Sequence, residues 1–316
     1  MTVLRQFFSR RGRTNLNHSV AEVSRLLDGR TLRMLDVGAA EGAPKKWLPF
    51  SPMMEYIAVE PDPRSASALA EASDSSFRKH SVISEGLWSS QGEIDLHLCR
   101  KPMASSAYRP NVEFAKLFPD SQRFDVVGVE SMAVTTVDAY MGDNNRIDAM
   151  KLDVQGAEYE VLRGASNALT STLLVEAEVE FVPLYERQPL FADVTTLLAA
   201  RGLEFIDFLF LYRWHPEQLD GTGQTVFADA LFMRAPEQMS NEDDEFHRFA
   251  ALSVIYGRGD LLLRLSRVAR DKTLRSLLES SGHRISRLNS RSNRRLQVMG
   301  RAMRTWHLDT RGHLFH

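Results

Sequence analysis

The 316-residue chain contains one cysteine, Cys99, which excludes an intramolecular disulfide framework and any thiolate metal cluster within one copy. No nucleophile motif surrounds it. No apolar run approaches the roughly 18–20 residues that a membrane-spanning helix needs. The N-terminal stretch MTVLRQFFSRRGRTN is basic but has no apolar secretory core. We read it as a solvated start rather than a short amphipathic presequence, and expect a cytoplasmic protein. No internal repeat is present. Net charge is only −2, yet it is unevenly spread. Fifteen Lys or Arg face four acids from Phe246 onward, a net +11, which leaves −13 on the remainder. Such asymmetry marks a boundary or an interaction surface.

Between Thr31 and about Met233, short apolar runs alternate with helical ones. TLRMLDVG, EYIAVEP, FRKHSVIS, IDLHLC, IDAMKLDV, TSTLLVEAEVEF, LEFIDFLFLYRW and ADALFMRA read as strands. Arg64–Ala72, Glu158–Leu169 and Phe191–Arg201 read as helices between them. This alternation predicts an α/β sheet with parallel strands and right-handed crossovers. Leu203–Trp214 and Ala228–Arg234 have only the turn-rich HPEQLDGTGQ between them, which predicts a terminal antiparallel hairpin. Gln91–Asp138 interrupts the pattern with a hairpin strand near Glu93–Cys99 and the loop SSAYRPNVEFAKLFPD. The implied organisation is a cap over 1–30, helical over His18–Leu27, a main domain over 31–238 and a basic helical extension over 245–316.

The first strand ends in Asp36-Val-Gly38-Ala39-Ala40-Glu41-Gly42. Glycines there permit a tight strand-to-helix turn and close backbone approach to a ligand. Their spacing departs from the Gly-x-Gly-x-x-Gly dinucleotide fingerprint, which disfavours a pyrophosphate and leaves a zwitterionic nucleoside suitable. Asp36 lies where open α/β sheets bind ligands. Glu60 closes the next strand, where an acid accepts ribose hydroxyl hydrogen bonds; a solvated strand-end glutamate is the alternative. Pro61 ends that strand. Ile83, Ser84 or Glu85, after the third strand, should lie beside the base.

The stretch Ile147-Asp-Ala-Met-Lys-Leu-Asp-Val-Gln-Gly-Ala-Glu-Tyr-Glu-Val-Leu-Arg-Gly-Ala165 resembles the FkbM-type methyltransferases, through Lys151, Asp153, Gly156, Glu158, Val161, Leu162, Gly164 and Ala165. Ser105-Ser106 before Pro110-Asn111, Thr135-Thr136-Val-Asp138, the acid-rich Leu174–Glu180 and Phe191–Asp207 fit as well. The resemblance covers roughly Arg33 to Arg234. Gln155 stands where the family commonly has Glu, so no charge-dependent role is assigned there. The resemblance implies a Rossmann-like class I methyltransferase sheet, mostly parallel and seven-stranded. It also implies S-adenosyl-L-methionine as cofactor and O-methylation of a sugar, glycan or specialised metabolite.

Asp153 ends a central strand and Gly156 allows close approach at the turn. Glu158 enters the first helical turn, where a carboxylate also serves simply as a cap. Candidate cofactor contacts are Asp36, Gly38, Ala39, Gly42, Glu60, Pro61, Ser84, Glu85 and Asp153. An alcohol acceptor benefits from a base, for which Asp153 and Glu178 are the candidates, with Glu176 and Glu180 beside them. Three alternating acids on one strand face the same side, so they need cationic partners, an open strand end or a metal. No metal ligand is assigned, although a divalent ion between Asp153 and a glutamate is an alternative. Ser106, Tyr108, Arg109 and Tyr185 are candidate acceptor contacts; loop packing is their alternative role.

The basic tail carries Leu261, Leu262, Leu265, Val268 and Ala269 near one helical face. It reads as an appendage packed on the domain or on a second subunit. A dock for anionic glycan or membrane is the alternative, and sequence-specific nucleic acid is not expected. Two rival functions stand beside the methyltransferase: a non-catalytic nucleotide-binding module of the same fold, and an NAD-dependent oxidoreductase.

Overall fold

The computed structural model describes residues 10–61, 69, 76–142, 146–216, 223–239 and 243–303, and the side chains of all these except 10–15, 243 and 289–303. Apolar runs with few turn residues form the central strands: β1 (Leu32–Val37), β2 (Met54–Val59) and β3 (Lys79–Ile83). Then come β4 (Gly86–Leu87), β5 (Gly92–Cys99), β6 (Val126–Thr135), β7 (Ala149–Leu152) and β8 (Leu174–Glu180). The last two are β9 (Leu203–Trp214) and β10 (Gln224–Arg234). Seven of them form one sheet in the order β3-β2-β1-β7-β8-β10-β9. The first five positions run parallel, and β10 is antiparallel to both β8 and β9. The expected seven-stranded sheet with a terminal hairpin is therefore the one the chain adopts.

β1 and β7 are adjacent although more than a hundred residues apart in sequence, so the strand order reverses beside β1. Open α/β sheets bind ligands at such a point, outside the carboxyl ends of the strands. One sheet face is covered by α1 (Arg10–Leu27), α6 (Asp243–Ile255), α7 (Gly259–Val268) and the start of α8 (Lys272–Met303). Leu26, Phe249, Leu262, Leu265 and Leu278 share one buried cluster with Met34, Leu174 and Met233 of the sheet. Each such side chain contributes about 1.5–3 kcal/mol when fully buried. The opposite face carries Val161 and Leu162 of α4 (Glu158–Arg163) and Val194 and Leu198 of α5 (Phe191–Ala199). The short helices α2 (Val112–Ala115) and α3 (Val137–Met141) lie between strands.

Three elements differ from the sequence reading. β6 is a strand, antiparallel to β5 and joined with β4 in a small second sheet. Val127 and Val129 on it are exposed, so no buried alternation marks the run VVGVESMAVT. The predicted helix over Glu158–Leu169 stops at Arg163. A side-chain carbon at Gly164 would lie 2.1 Å from the Trp88 carbonyl oxygen, so the backbones meet there and a separate turn covers Ala168–Thr170. The N-terminal helix starts earlier than His18, at Arg10. The predicted helix over Arg64–Ala72 lies outside the described residues apart from Leu69. Among the described residues no helix is long and apolar enough to cross a membrane.

In the basic tail, several arginines are held by acids of the same chain. Arg264 pairs with Glu237 and Glu204, Arg258 with Asp207 and Asp260, and Arg284 with Glu22.

Candidate active site

The register aligns charged residues in rows across the sheet. Asp36 is level with Lys151, and Lys151 with Glu176. Two residues nearer the carboxyl ends come Gly38, Asp153 and Glu178, with Asp229 of β10 opposite Glu178. Two residues the other way lie Met34, Ala149, Leu174 and Met233, all apolar and buried. Because side chains repeat every second residue, all three rows share the face covered by α1 and α6. Polarity thus rises stepwise toward the carboxyl edge.

Asp36 is almost fully buried. The Tyr56 hydroxyl donates to its Oδ2 at 2.8 Å, and Lys151 Nζ lies 3.7 Å from its Oδ1. Burial pushes the Asp36 carboxyl up to about 6, against the pull of Lys151 and Tyr56. Burial alone would lower the Lys151 ammonium, but Asp36, Asp153 and Glu176 around it outweigh that and raise it. Lys151 therefore stays charged among the acids of its own row and of the row beyond it. Its Nζ also donates to Asp153 Oδ2 at 3.4 Å.

β1 ends against β7 through Gly38. The Asp153 amide donates to Val37 O at 3.0 Å, while the amides of Gly38 and Ala39 donate to Val59 O at 3.0 and 3.1 Å. Gly38 has φ +83°, and a side-chain carbon on it would sit 2.0 Å from the Asp153 carbonyl oxygen. At Gly42, with φ +80°, a side-chain carbon would meet Leu69 Cδ2 at 3.9 Å, the nearest atom among the described residues. Glu60 is buried just past β2, its amide donating to Ile83 O at 2.9 Å. Pro61 follows it partly buried, while Ser84 and Glu85 are exposed after β3. An acid, a backbone loop with two glycines in the left-handed region and the carboxyl ends of β2 and β3 thus share one corner. That donor set fits a nucleoside carrying a ribose.

On the other side of Gly38, Gln155 links the two candidate catalytic acids. Its Nε2 donates to Asp153 Oδ1 at 3.1 Å and to Glu178 Oε1 at 2.9 Å. Its Oε1 accepts from the Tyr185 hydroxyl at 3.2 Å, and its carbonyl accepts from Ser106 Oγ at 2.7 Å. Gln155 itself is in the left-handed region, φ +56°. The Asp153 side chain is 41% exposed, so of the pair it is the one open to solvent and reactants. Glu178 and Glu180 are raised well above the usual carboxylate range, first by burial and then by neighbouring acids, Asp153 and Glu180 for Glu178 and Glu158 and Asp153 for Glu180. The third acid of β8, Glu176, is neutralised by Lys46, whose Nζ lies 2.6 Å from both carboxylate oxygens. So one acid of β8 has a cationic partner, and the other two favour their protonated forms. Asp229 is also pushed up to about 6, by burial and then by Glu176 and Asp153.

Glu158 reaches back to accept the Val154 amide at 2.8 Å, bracing the turn that carries Asp153. Burial pushes its carboxyl up to about 7. In the unfolded chain this group loses its proton near 4.5, so between about pH 4.5 and 7 the native state holds the extra proton. Stability therefore falls as pH rises through that window and then levels off. Glu158→Gln keeps the acceptor oxygen without the charge. It should unfold later than the parent in denaturant at pH 8, by on the order of 2 kcal/mol, and show little gain at pH 4.5. An equal gain at both pH values would refute this.

The candidate acceptor residues divide. Ser106 and Tyr185 are buried, and their hydroxyls face Gln155, so they support the acids from behind rather than present a surface. Tyr185 shares its single hydroxyl proton between Gln155 Oε1 and Ala104 O, the latter at 3.1 Å. Tyr108 is partly buried with its ring 5.9 Å from that of Trp88, and Arg109 is exposed. The loop bearing them is stitched down by Asn111, whose amide donates to Leu184 O at 2.8 Å, and by the Glu186 amide to Arg109 O at 2.7 Å. Lys46, Tyr56, Asp229 and Tyr256 join the site without any motif to mark them. Gln155 alone of the additions lay inside one. Among the described residues no three His, Cys, Asp or Glu side chains are grouped to hold a metal ion.

A family model described as the methyltransferase FkbM domain matches residues 36–205, more than half of the chain. The chain belongs to the FkbM methyltransferase family. Its FkbM domain thus begins at Asp36 and runs into β9, taking in Glu60, Asp153 and Glu178. A curated relative, the 2-O-methyltransferase NoeI of Sinorhizobium fredii, is 27% identical over 165 residues, 49% of this chain. The match spans 66% of that relative's length. Among solved structures, the N-methyltransferase NodS of Bradyrhizobium japonicum, in complex with S-adenosyl-L-homocysteine, is 11% identical with a TM-score of 0.34. That alignment covers 73% of this FkbM-family chain and 90% of NodS. A TehB-like SAM-dependent methyltransferase from Corynebacterium glutamicum is 12% identical with a TM-score of 0.32, covering 67% and 87%. Those superpositions are loose, and the fold assignment rests on strand order.

Proposed function

We propose that this FkbM-family protein is an S-adenosylmethionine-dependent methyltransferase acting on a hydroxyl of a sugar, glycan or specialised metabolite. The observation that carries the reading is the carboxyl-edge arrangement, in which a ribose-suited corner adjoins an acid pair across Gly38. When bound, S-adenosylmethionine supplies a methyl group on a positively charged sulfur, so the protein's task is chiefly alignment and proton removal.

Glu60 accepts the ribose hydroxyls, the Gly38–Gly42 loop gives backbone access, and Pro61, Ser84 and Glu85 border the base. Asp36 lies beneath the loop, buried with Tyr56 and Lys151, and shapes it from below. Asp153 takes the proton of the acceptor hydroxyl, being the more exposed of the pair and held by Lys151 and Gln155. Glu178, protonated and held by the same Gln155 Nε2 as Asp153, donates to an acceptor oxygen. Tyr108 and Arg109 border the acceptor. The 2-O-methyltransferase name of the curated relative supports oxygen as the methylated atom.

Isothermal calorimetry of the folded chain with S-adenosylmethionine and S-adenosylhomocysteine tests the cofactor assignment, and binding of both is expected. Folded protein with no heat of binding to either would overturn it. Transfer of a labelled methyl group to a panel of oligosaccharides and phenolic or macrolide alcohols then tests the acceptor class, with label expected as an alkali-stable ether. Label found only on nitrogen would overturn O-methylation.

A further inference from the structure

The family match ends at residue 205, yet a residue well beyond it reaches the cofactor loop. Tyr256 follows the last turn of α6, and its hydroxyl donates to Glu176 Oε2 at 2.7 Å. The Tyr256 hydroxyl oxygen in turn accepts from Trp47 Nε1 at 3.1 Å. Lys46 completes the group, with its Nζ 2.6 Å from both Glu176 oxygens and 5.0 Å from the centre of the Tyr256 ring. Two consecutive residues of the loop after Gly42 thus grip one tyrosine, by cation–π contact and by hydrogen bond.

We propose that Tyr256 is a positioning residue for the cofactor loop, so that the C-terminal helices complete a site whose motifs all lie upstream. This rests on the cofactor reading above. The loop is pinned at its start by the Gly38 and Ala39 amides on Val59 O, and at its end by Lys46 and Trp47. Only a few residues around Gly42 and Pro44 lie between these anchors, so fixing the far end limits the conformations of the ligand-facing turn. Glu176 shares its cross-strand row with Lys151 and Asp36, which ties the brace to the charges beneath that turn.

Merely fastening α6 to the sheet would not require this polar cluster. Phe249, Ala250, Leu252 and Val254 already bury the helix against the core. The polar contacts lie instead at the helix end nearest the loop, where Glu176 is nearly inaccessible and would be costly to bury unpaired.

The test compares Tyr256→Phe with Val254→Ala, which loosens α6 through apolar contact alone. Affinity for S-adenosylmethionine and S-adenosylhomocysteine is measured by calorimetry on the full chain. Tyr256→Phe should weaken both by about tenfold, while Val254→Ala lowers the melting temperature and leaves affinity within about twofold. Lys46→Met should weaken binding similarly, and combining it with Tyr256→Phe should cost less than the product of the two, because both act through Glu176. If Tyr256→Phe does not fold, Lys46→Met carries the same comparison. Unchanged affinity in the polar variants, or an equal loss in Val254→Ala, overturns the proposal while the cofactor reading stands. Absence of binding by the unaltered protein overturns both.

Discussion

Replacing Gly38 with alanine is expected to destabilise the fold by roughly 3 kcal/mol or more and to abolish cofactor binding. Two costs combine at this position. The backbone has φ +83°, where a side-chain carbon costs about 1–2 kcal/mol by itself. That carbon would also lie 2.0 Å from the Asp153 carbonyl oxygen, which is backbone and cannot swing aside. The carboxyl ends of β1 and β7 would have to separate, breaking the Asp153 amide bond to Val37 O and moving the candidate base. Gly42→Ala is the control. It has nearly the same φ, +80°, but among the described residues nothing nearer than 3.9 Å, so it should cost only the conformational part, about 1–2 kcal/mol. Urea unfolding of the two variants, with calorimetry at the cofactor, reads both effects. Equal losses at the two glycines would show that contact with Asp153 is unimportant.

Removing the charge of Asp153 should be the largest catalytic lesion. Asp153→Asn is expected to lower turnover by about 10²–10⁴-fold, the usual contribution of a positioned general base. The cofactor should still bind, since Glu60 and the loop are untouched. Glu178→Gln should be milder, about tenfold, because glutamine mimics a protonated carboxyl and can still pair across Gln155. The reverse order, with Glu178→Gln inactive and Asp153→Asn active, would assign the base to Glu178.

The elements of this site differ in how far they can be read along the chain. Gly38, Glu60 and Asp153 lie at strand ends, and strand ends follow from apolar runs punctuated by glycine, proline or charge. Their positions on the carboxyl edge follow once the strands are parallel. Ser106 and Tyr185 read as acceptor contacts because polar and aromatic residues in a long loop commonly face ligands. In the fold their hydroxyls turn inward to Gln155, because Ser106 pairs with His97 and Tyr185 with Pro110, which sets the loop down on the protein. Glu176, Glu178 and Glu180 look equivalent by alternation. Only Glu176 meets a lysine, and that lysine comes from a loop 130 residues away. Tyr256 carries no motif at all, since its role comes from where a helix end lands.

The sequence by itself determined the sheet, its terminal hairpin, the family and the edge on which the chemistry sits. These depend on periodicity and on short motifs whose residues are neighbours in the chain. The tertiary structure decided which acids are charged, which aromatic groups are buried and that α6 touches the cofactor loop. Those properties depend on desolvation and on partners brought from distant segments, and no local pattern encodes them.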